Sequence, residues 1–206
     1  MQKILLAIFL IPVFSDVTAQ NQVSVSECTV TYKITGADAG TNKNLQEASK
    51  TLYIKGKVSR SDLTSSDFKQ SVIYDAKSGT VVILKEVGSE KYKSVYTAEQ
   101  WKKENKRFEG LKITTTSERK TILGYDCKKV IVSLKDGSTY NMYCAAAIMP
   151  STTENSYQFK DIPGFVLEYE TSSGSEKITY TATMINFNPV PASKFEVPSA
   201  GYRLLH

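Results

Sequence analysis

The chain has 206 residues, a formal net charge of +5 and 41% hydrophobic residues. This composition excludes a disordered or membrane-embedded chain, and the length suits one domain with a real core. One histidine, His206 at the last position, and three widely spaced cysteines exclude the common zinc sites and leave no positioned imidazole for Ser-His-Asp or Cys-His catalysis.

Met1-Gln2-Lys3 supplies one positive charge, 4–14 is an almost uninterrupted apolar run, and Val17-Thr18-Ala19 places small or modest side chains at a cleavage position. The run is shorter than the roughly 20 residues of a bilayer span. This layout predicts a signal peptide over 1–19, cleavage near Ala19 and a single β-rich domain over 20–206, periplasmic or secreted. No other apolar run approaches spanning length, so no transmembrane segment is expected in the mature chain. Lys3 and Asp16 cancel, so the mature charge stays +5. Charge of mixed sign reads as a solvated surface able to meet anionic head groups or other envelope polyanions. Without a basic block or a binding motif, nucleic acid is not a partner. Cys28 lies too far downstream of the apolar run for acylation.

Alternation of apolar and polar residues predicts a strand over 23–34, with Val30, Tyr32 and Ile34 on one face. Further strands are expected over 51–58, 70–75, 81–87 and 91–96, separated by Lys77-Ser78-Gly79 and Gly88-Ser89. The polar, Gly-rich stretch 36–44 reads as a loop. Thr97-Ala98-Glu99-Gln100 has the form of a capping box and opens a short basic helix. Trp101 and Phe108, seven residues apart, are expected on one face of it. Asp136-Gly137 turns a hairpin between 128–134 and 138–144, and a second hairpin pairs 165–169 with 178–185. Asn155 to Phe159 reads as a further helical turn.

Short connections force antiparallel pairing. The expected fold is mainly β, a curved antiparallel sheet with one or two short helices as a lid. Such a sheet either closes into a barrel or leaves an apolar trough beneath the helix. No phosphate loop, dinucleotide fingerprint, nucleophile elbow or calcium loop is present, so neither metal nor cofactor is expected. Glu168 and Glu170 share a strand face near Glu154 and Asp161, but solvent-facing carboxylates explain them as well as a hydrolase does. Cys127 and Cys144 flank the first hairpin turn, with Cys127 expected opposite Ala146. A bridge between them, buried free thiols, or pairing of either with Cys28 all remain open.

Ile122-Leu123-Gly124-Tyr125-Asp126-Cys127-Lys128-Lys129 resembles the I-L-G-Y-x-C-K-K signature of uncharacterised exported proteins of Bacteroides-type bacteria, including the GLPGLI family. Asp161-Ile162-Pro163-Gly164-Phe165-Val166-Leu167 resembles a diverged form of the string that names that family. Phe195-Glu196-Val197-Pro198 with Gly201-Tyr202 resembles the closing strand of lipoprotein-carrier (LolA-like) domains. The resemblance implies a half-barrel with a helical lid over an apolar cavity, which in the carriers takes up acyl chains, and it carries over no catalytic residue. A lipid or lipoprotein acyl chain is then the implied ligand, with burial contributing about 0.8 kcal/mol per methylene. Trp101, Phe108 and Leu111 are the lid-side candidates, and Phe165, Leu167 and Tyr169 the sheet-side ones. All six read equally as core. The resulting expectation is a non-enzymatic envelope protein that binds an apolar ligand. A module docking an envelope protein through a sheet edge or the basic helix is the alternative.

Overall fold

The computed structural model describes residues 22–36, 48–173 and 176–205. The signal-peptide reading, most of the expected loop at 36–44, the tip of the second hairpin and His206 lie outside the described residues.

The first expected strand divides at Ser26 into β1 (Val23–Val25) and β2 (Glu27–Gly36). Along β2, Cys28, Val30, Tyr32 and Ile34 are buried and the intervening residues are less so, the period of a half-covered strand. β3 (Ser49–Lys55) pairs with β2. The single strand expected over 51–58 is corrected here. The chain reverses at Gly56, whose φ of +58° suits glycine, into β4 (Val58–Thr64). β5 (Phe68–Asp75), β6 (Thr80–Val87) and β7 (Glu90–Tyr96) extend the antiparallel meander.

Helix α1 (Ala98–Glu104) follows. Gln100 N–H donates to the Thr97 hydroxyl and Thr97 N–H to the Gln100 side chain, so the capping box forms. The helix stops one turn later than Trp101. Buried Asn105 donates from its backbone N–H (3.1 Å) and its side chain (2.9 Å) to the Trp101 carbonyl, closing the last turn. Phe108 therefore sits in a separate 3-10 turn, Lys106–Phe108, and the shared helix face is corrected.

Edge strand β8 (Lys112–Ile122), unforeseen because most of its side chains are exposed, leads into β9 (Tyr125–Ser133) and, through the expected Asp136-Gly137 turn, β10 (Thr139–Ala145). β11 (Ile148–Pro150) pairs with β1 in parallel. After a covering segment, 151–164, come β12 (Phe165–Ser173) and β13 (Glu176–Asn186). A single helical hydrogen bond, Phe159 N–H to Asn155 C=O at 3.1 Å, marks the turn expected there. The tail forms a 3-10 turn, Ala192–Phe195, and β14 (Arg203–Leu205).

Twelve of these strands make one sheet in the order β14-β7-β6-β5-β4-β3-β2-β13-β12-β10-β9-β8. The sheet is curved and antiparallel and is not closed into a barrel. β14 departs from the pattern by running parallel to β7, and no closing strand includes Phe195. The core gathers on the concave face of β2, β3, β9, β10, β12 and β13, with Phe159 and Ile162 pressed onto it from segment 151–164. Segment 151–164, rather than the helix, is the main cover of the core. α1 packs beside it, against β6 and β7.

Candidate functional site

Lys50 is the anomaly of the concave face. In Ser-Lys-Thr-Leu-Tyr-Ile-Lys it shares parity with inward Leu52 and Ile54, and β3 carries it into the interior, 8% exposed. Its ammonium meets the Glu154 carboxylate of the covering segment at 2.5 Å and donates to the Tyr169 hydroxyl. It also lies 5.0 Å from the Tyr169 ring centre and 4.9 Å from that of Tyr180. Those two rings, directly paired across β12 and β13, stack at 4.8 Å with 11° between planes. Tyr32 and Phe159 meet Tyr169 edge-on at 6.0 and 5.2 Å. Stacked π faces and one carboxylate thus replace the water that a buried ammonium loses. The Tyr169 hydroxyl donates in turn to Glu154 at 3.1 Å. Burial, reinforced by the Glu154 charge, pushes this phenol well above its ordinary range, so it remains a proton donor.

A cleft of about 180 Å3 opens at this network between the sheet and α1. Lys50, Ser61, Leu63, Gln70, Val72 and Tyr180 form its sheet side. Trp101 of α1, with Glu154, Asn155 and Gln158 of the cover, forms the rest. Trp101 packs on Tyr96 with ring centres 5.6 Å apart. Its indole N–H is buried and has no hydrogen-bond acceptor among the described residues. Leaving such a donor unmet costs about 1–3 kcal/mol.

The cover is fastened on several sides. Asn155 donates to the Asn105 side-chain oxygen at 2.8 Å, joining cover to helix. The Ser59 hydroxyl donates to the Thr153 carbonyl at 2.9 Å, and that of Tyr74 to Ser156 at 3.0 Å.

The six expected binding residues do not converge. Trp101 lines the cleft. Phe108 lines a separate groove formed by α1, the 3-10 turn and the cover. Leu111 packs, partly buried, on the core cluster. Leu167 is 0% exposed and belongs to the core. Phe165 and Tyr169 line a cavity between sheet and cover of only about 40 Å3. A single water needs about 10–15 Å3 of such space, so the cavity has room for a few waters and not for an acyl chain. Lys50 and Tyr180 went unread in the sequence. The signal available was a charge at an inward strand position.

The carboxylates on the opposite sheet face are occupied. Glu168 accepts from Lys120 at 2.7 Å and from the Thr181 hydroxyl at 2.7 Å, and Glu170 from Asn141 and Lys177. Cys28, Cys127 and Cys144 are buried free thiols. The register sets Cys127 opposite Ala145, not Ala146, and Cys144 opposite Lys128, one position out of direct apposition. Among the described residues no cluster of His, Cys, Asp and Glu could hold a metal ion, and no helix is long and apolar enough to cross a membrane.

No curated protein matches this chain. Two solved structures of PNGF-II resemble it. The one in space group C2 is 15% identical with a TM-score of 0.41, covering 86% of this chain and 30% of that one. The one in P21 is 14% identical with a TM-score of 0.43, covering 88% and 32%. The chain thus spans about a third of the length of the structures it matches. The family described as domain of unknown function DUF4412 matches residues 39–202. The match is to this uncharacterised family and not to the GLPGLI or LolA-like families of the motif resemblance. Since it spans most of the sequence, the chain belongs to the DUF4412 family.

Proposed function

We propose that the protein is an exported, non-enzymatic binding protein of the cell envelope, and that it takes a small amphipathic ligand in the cleft between Trp101 and Lys50. One observation carries this reading: Trp101, whose buried indole N–H has no acceptor among the described residues, forms one wall of a cleft whose sheet side holds the buried cation of Lys50. Leu63, Val72 and the Trp101 ring supply the apolar contact, and Ser61, Gln70 and Gln158 supply polar groups beside it. The volume, about 180 Å3, is below the roughly 300 Å3 at which drug-sized sites begin. The ligand is therefore small, and a long acyl chain is not its main body. The export reading rests on the signal layout of residues 1–19, and the non-enzymatic one on carboxylates already committed to lysines.

Native mass spectrometry of the protein recovered from an envelope fraction tests this. The expected result is a non-covalent adduct of a few small-molecule masses that disappears in Trp101→Ala and Lys50→Met variants. A bare chain mass in every preparation contradicts it.

A second reading has its own observation. Val95, Leu204 and Leu205 are 53%, 47% and 44% exposed along the β7–β14 edge and line one groove there. Grouped apolar side chains at a sheet edge suit an envelope protein partner. Crosslinking to one protein while the cleft stays empty favours this reading.

A further inference from the structure

The groove between α1, the 3-10 turn and the cover is a concavity separate from the Trp101 cleft and larger, about 630 Å3. Phe108, half-buried, comes from the 3-10 turn, and Tyr157 from the covering segment. Lys102, Lys103, Lys106 and Lys160 stand around these two rings. None of the four ammonium groups is paired with a carboxylate among the described residues, whereas Lys50, Lys55, Lys91, Lys120, Lys129 and Lys177 all are. Of the two carboxylates at the groove, Glu99 is drawn back onto the helix start. A backbone N–H and the Thr97 hydroxyl hold it below its ordinary range. Four ammonium groups against these two carboxylates, Glu99 and Glu109, leave positive charge in excess at the groove. Arg107 places its guanidinium 5.0 Å from the Phe108 ring centre.

Lysine stems are apolar, so four of them around two aromatic rings extend an apolar wall and leave a cationic rim. Coulomb attraction at such a rim selects a negative head group, and the rings below it select an apolar tail over a bare anion. We propose that this groove binds a single-chain anionic amphiphile, the head group, carboxylate or phosphate, lying among the four lysines and the chain lying on Phe108 and Tyr157. The groove shares no lining residue with the Trp101 cleft, and the proposal stands independently of that site.

Isothermal titration of the protein with sodium decanoate, decyl phosphate, decyl maltoside and inorganic phosphate, each below its micelle concentration where it has one, provides the test. The expected result is one site for at least one of the two anionic amphiphiles. Decyl maltoside and inorganic phosphate should bind at least tenfold more weakly, and the affinity should fall as salt rises. Tighter binding of decyl phosphate than of decanoate assigns a phospholipid-type head group, and the reverse order a fatty acid. Lys102→Glu with Lys103→Glu and Lys160→Glu should cost at least tenfold. Phe108→Ser should cost a similar factor. The three lysines are exposed, so the charge-reversed variant should keep the wild-type circular dichroism. Equal affinity for decyl maltoside, equal affinity for inorganic phosphate, unchanged affinity after charge reversal, or no binding of either anionic amphiphile would each overturn the proposal.

Discussion

Lys50 and Glu154 meet at 2.5 Å although they lie 104 positions apart, one on the sheet and one on the segment that covers it. Their side chains are 10% and 11% exposed, so the pair is enclosed by the aromatic network and closes the cover onto β3. A buried pair of this kind is costly to break from one side, because the surviving charge keeps its desolvation penalty. Lys50→Met and Glu154→Leu alone should each lose about 3–5 kcal/mol, and the double variant should recover most of that loss. Urea unfolding of the four proteins checks the cycle. Additive single losses would show that the two groups do not act as a pair.

Gly164 ends the covering segment at φ +124°, where its backbone approaches β10 so closely that an added Cβ would lie 2.3 Å from the Ala145 carbonyl oxygen. Neither the angle nor the space admits a side chain. Gly164→Ala should cost about 2–4 kcal/mol or force the cover away from β10. Thermal unfolding, with limited proteolysis of segment 151–164, measures both outcomes.

The three thiols are buried, and burial pushes Cys28 up to about 12 and Cys127 and Cys144 to about 11. A thiol raised in the native state keeps its proton longer there than in the unfolded chain. Its contribution to stability is complete below the ordinary value near 9.0 and fades as pH rises from there through about 11–12. Stability should therefore decline above pH 9, and less steeply in a Cys→Ala triple variant. At pH 8 a thiol reagent should label no cysteine in the native protein and three after denaturation. Denaturant titrations across this pH range, with thiol counting, check both.

Asn105 links the end of α1 to the cover through Asn155, so one side chain both caps the helix and fixes the cleft mouth. Asn105→Ala should destabilise by about 1–2 kcal/mol and raise amide exchange in both α1 and 151–164. Exchange confined to the helix would show that the Asn105–Asn155 contact does not couple them.

Much of the sheet was legible because its strands advertise themselves. β2 alternates cleanly, and the Asp136-Gly137 turn specifies the β9–β10 hairpin. β4 was hidden because Ser59 and Ser61 occupy its inward positions, where the Ser59 hydroxyl, bonded to the cover, does the work expected of an apolar group. β8 was hidden because an edge strand with Glu118, Arg119 and Lys120 has little apolar face to display. The motif 161–167 stands out for a structural reason: Ile162 caps the core, Gly164 allows the close approach, and Phe165 and Leu167 point inward. The cleft was less readable. It forms from β3 to β5, β13, α1 and the cover, and only a charge at an inward position, Lys50, marks it in one dimension.

Trp101 is the single tryptophan of the chain, so its indole N–H gives one resonance in a 15N-resolved proton spectrum. That resonance reports the cleft directly. In a screen of small fragments, those joining a polar group to an apolar one should shift it as the Trp101 ring meets a ligand, and Lys50→Met should weaken the response. An indole resonance that no such fragment displaces at millimolar concentration would contradict a ligand site beneath Trp101.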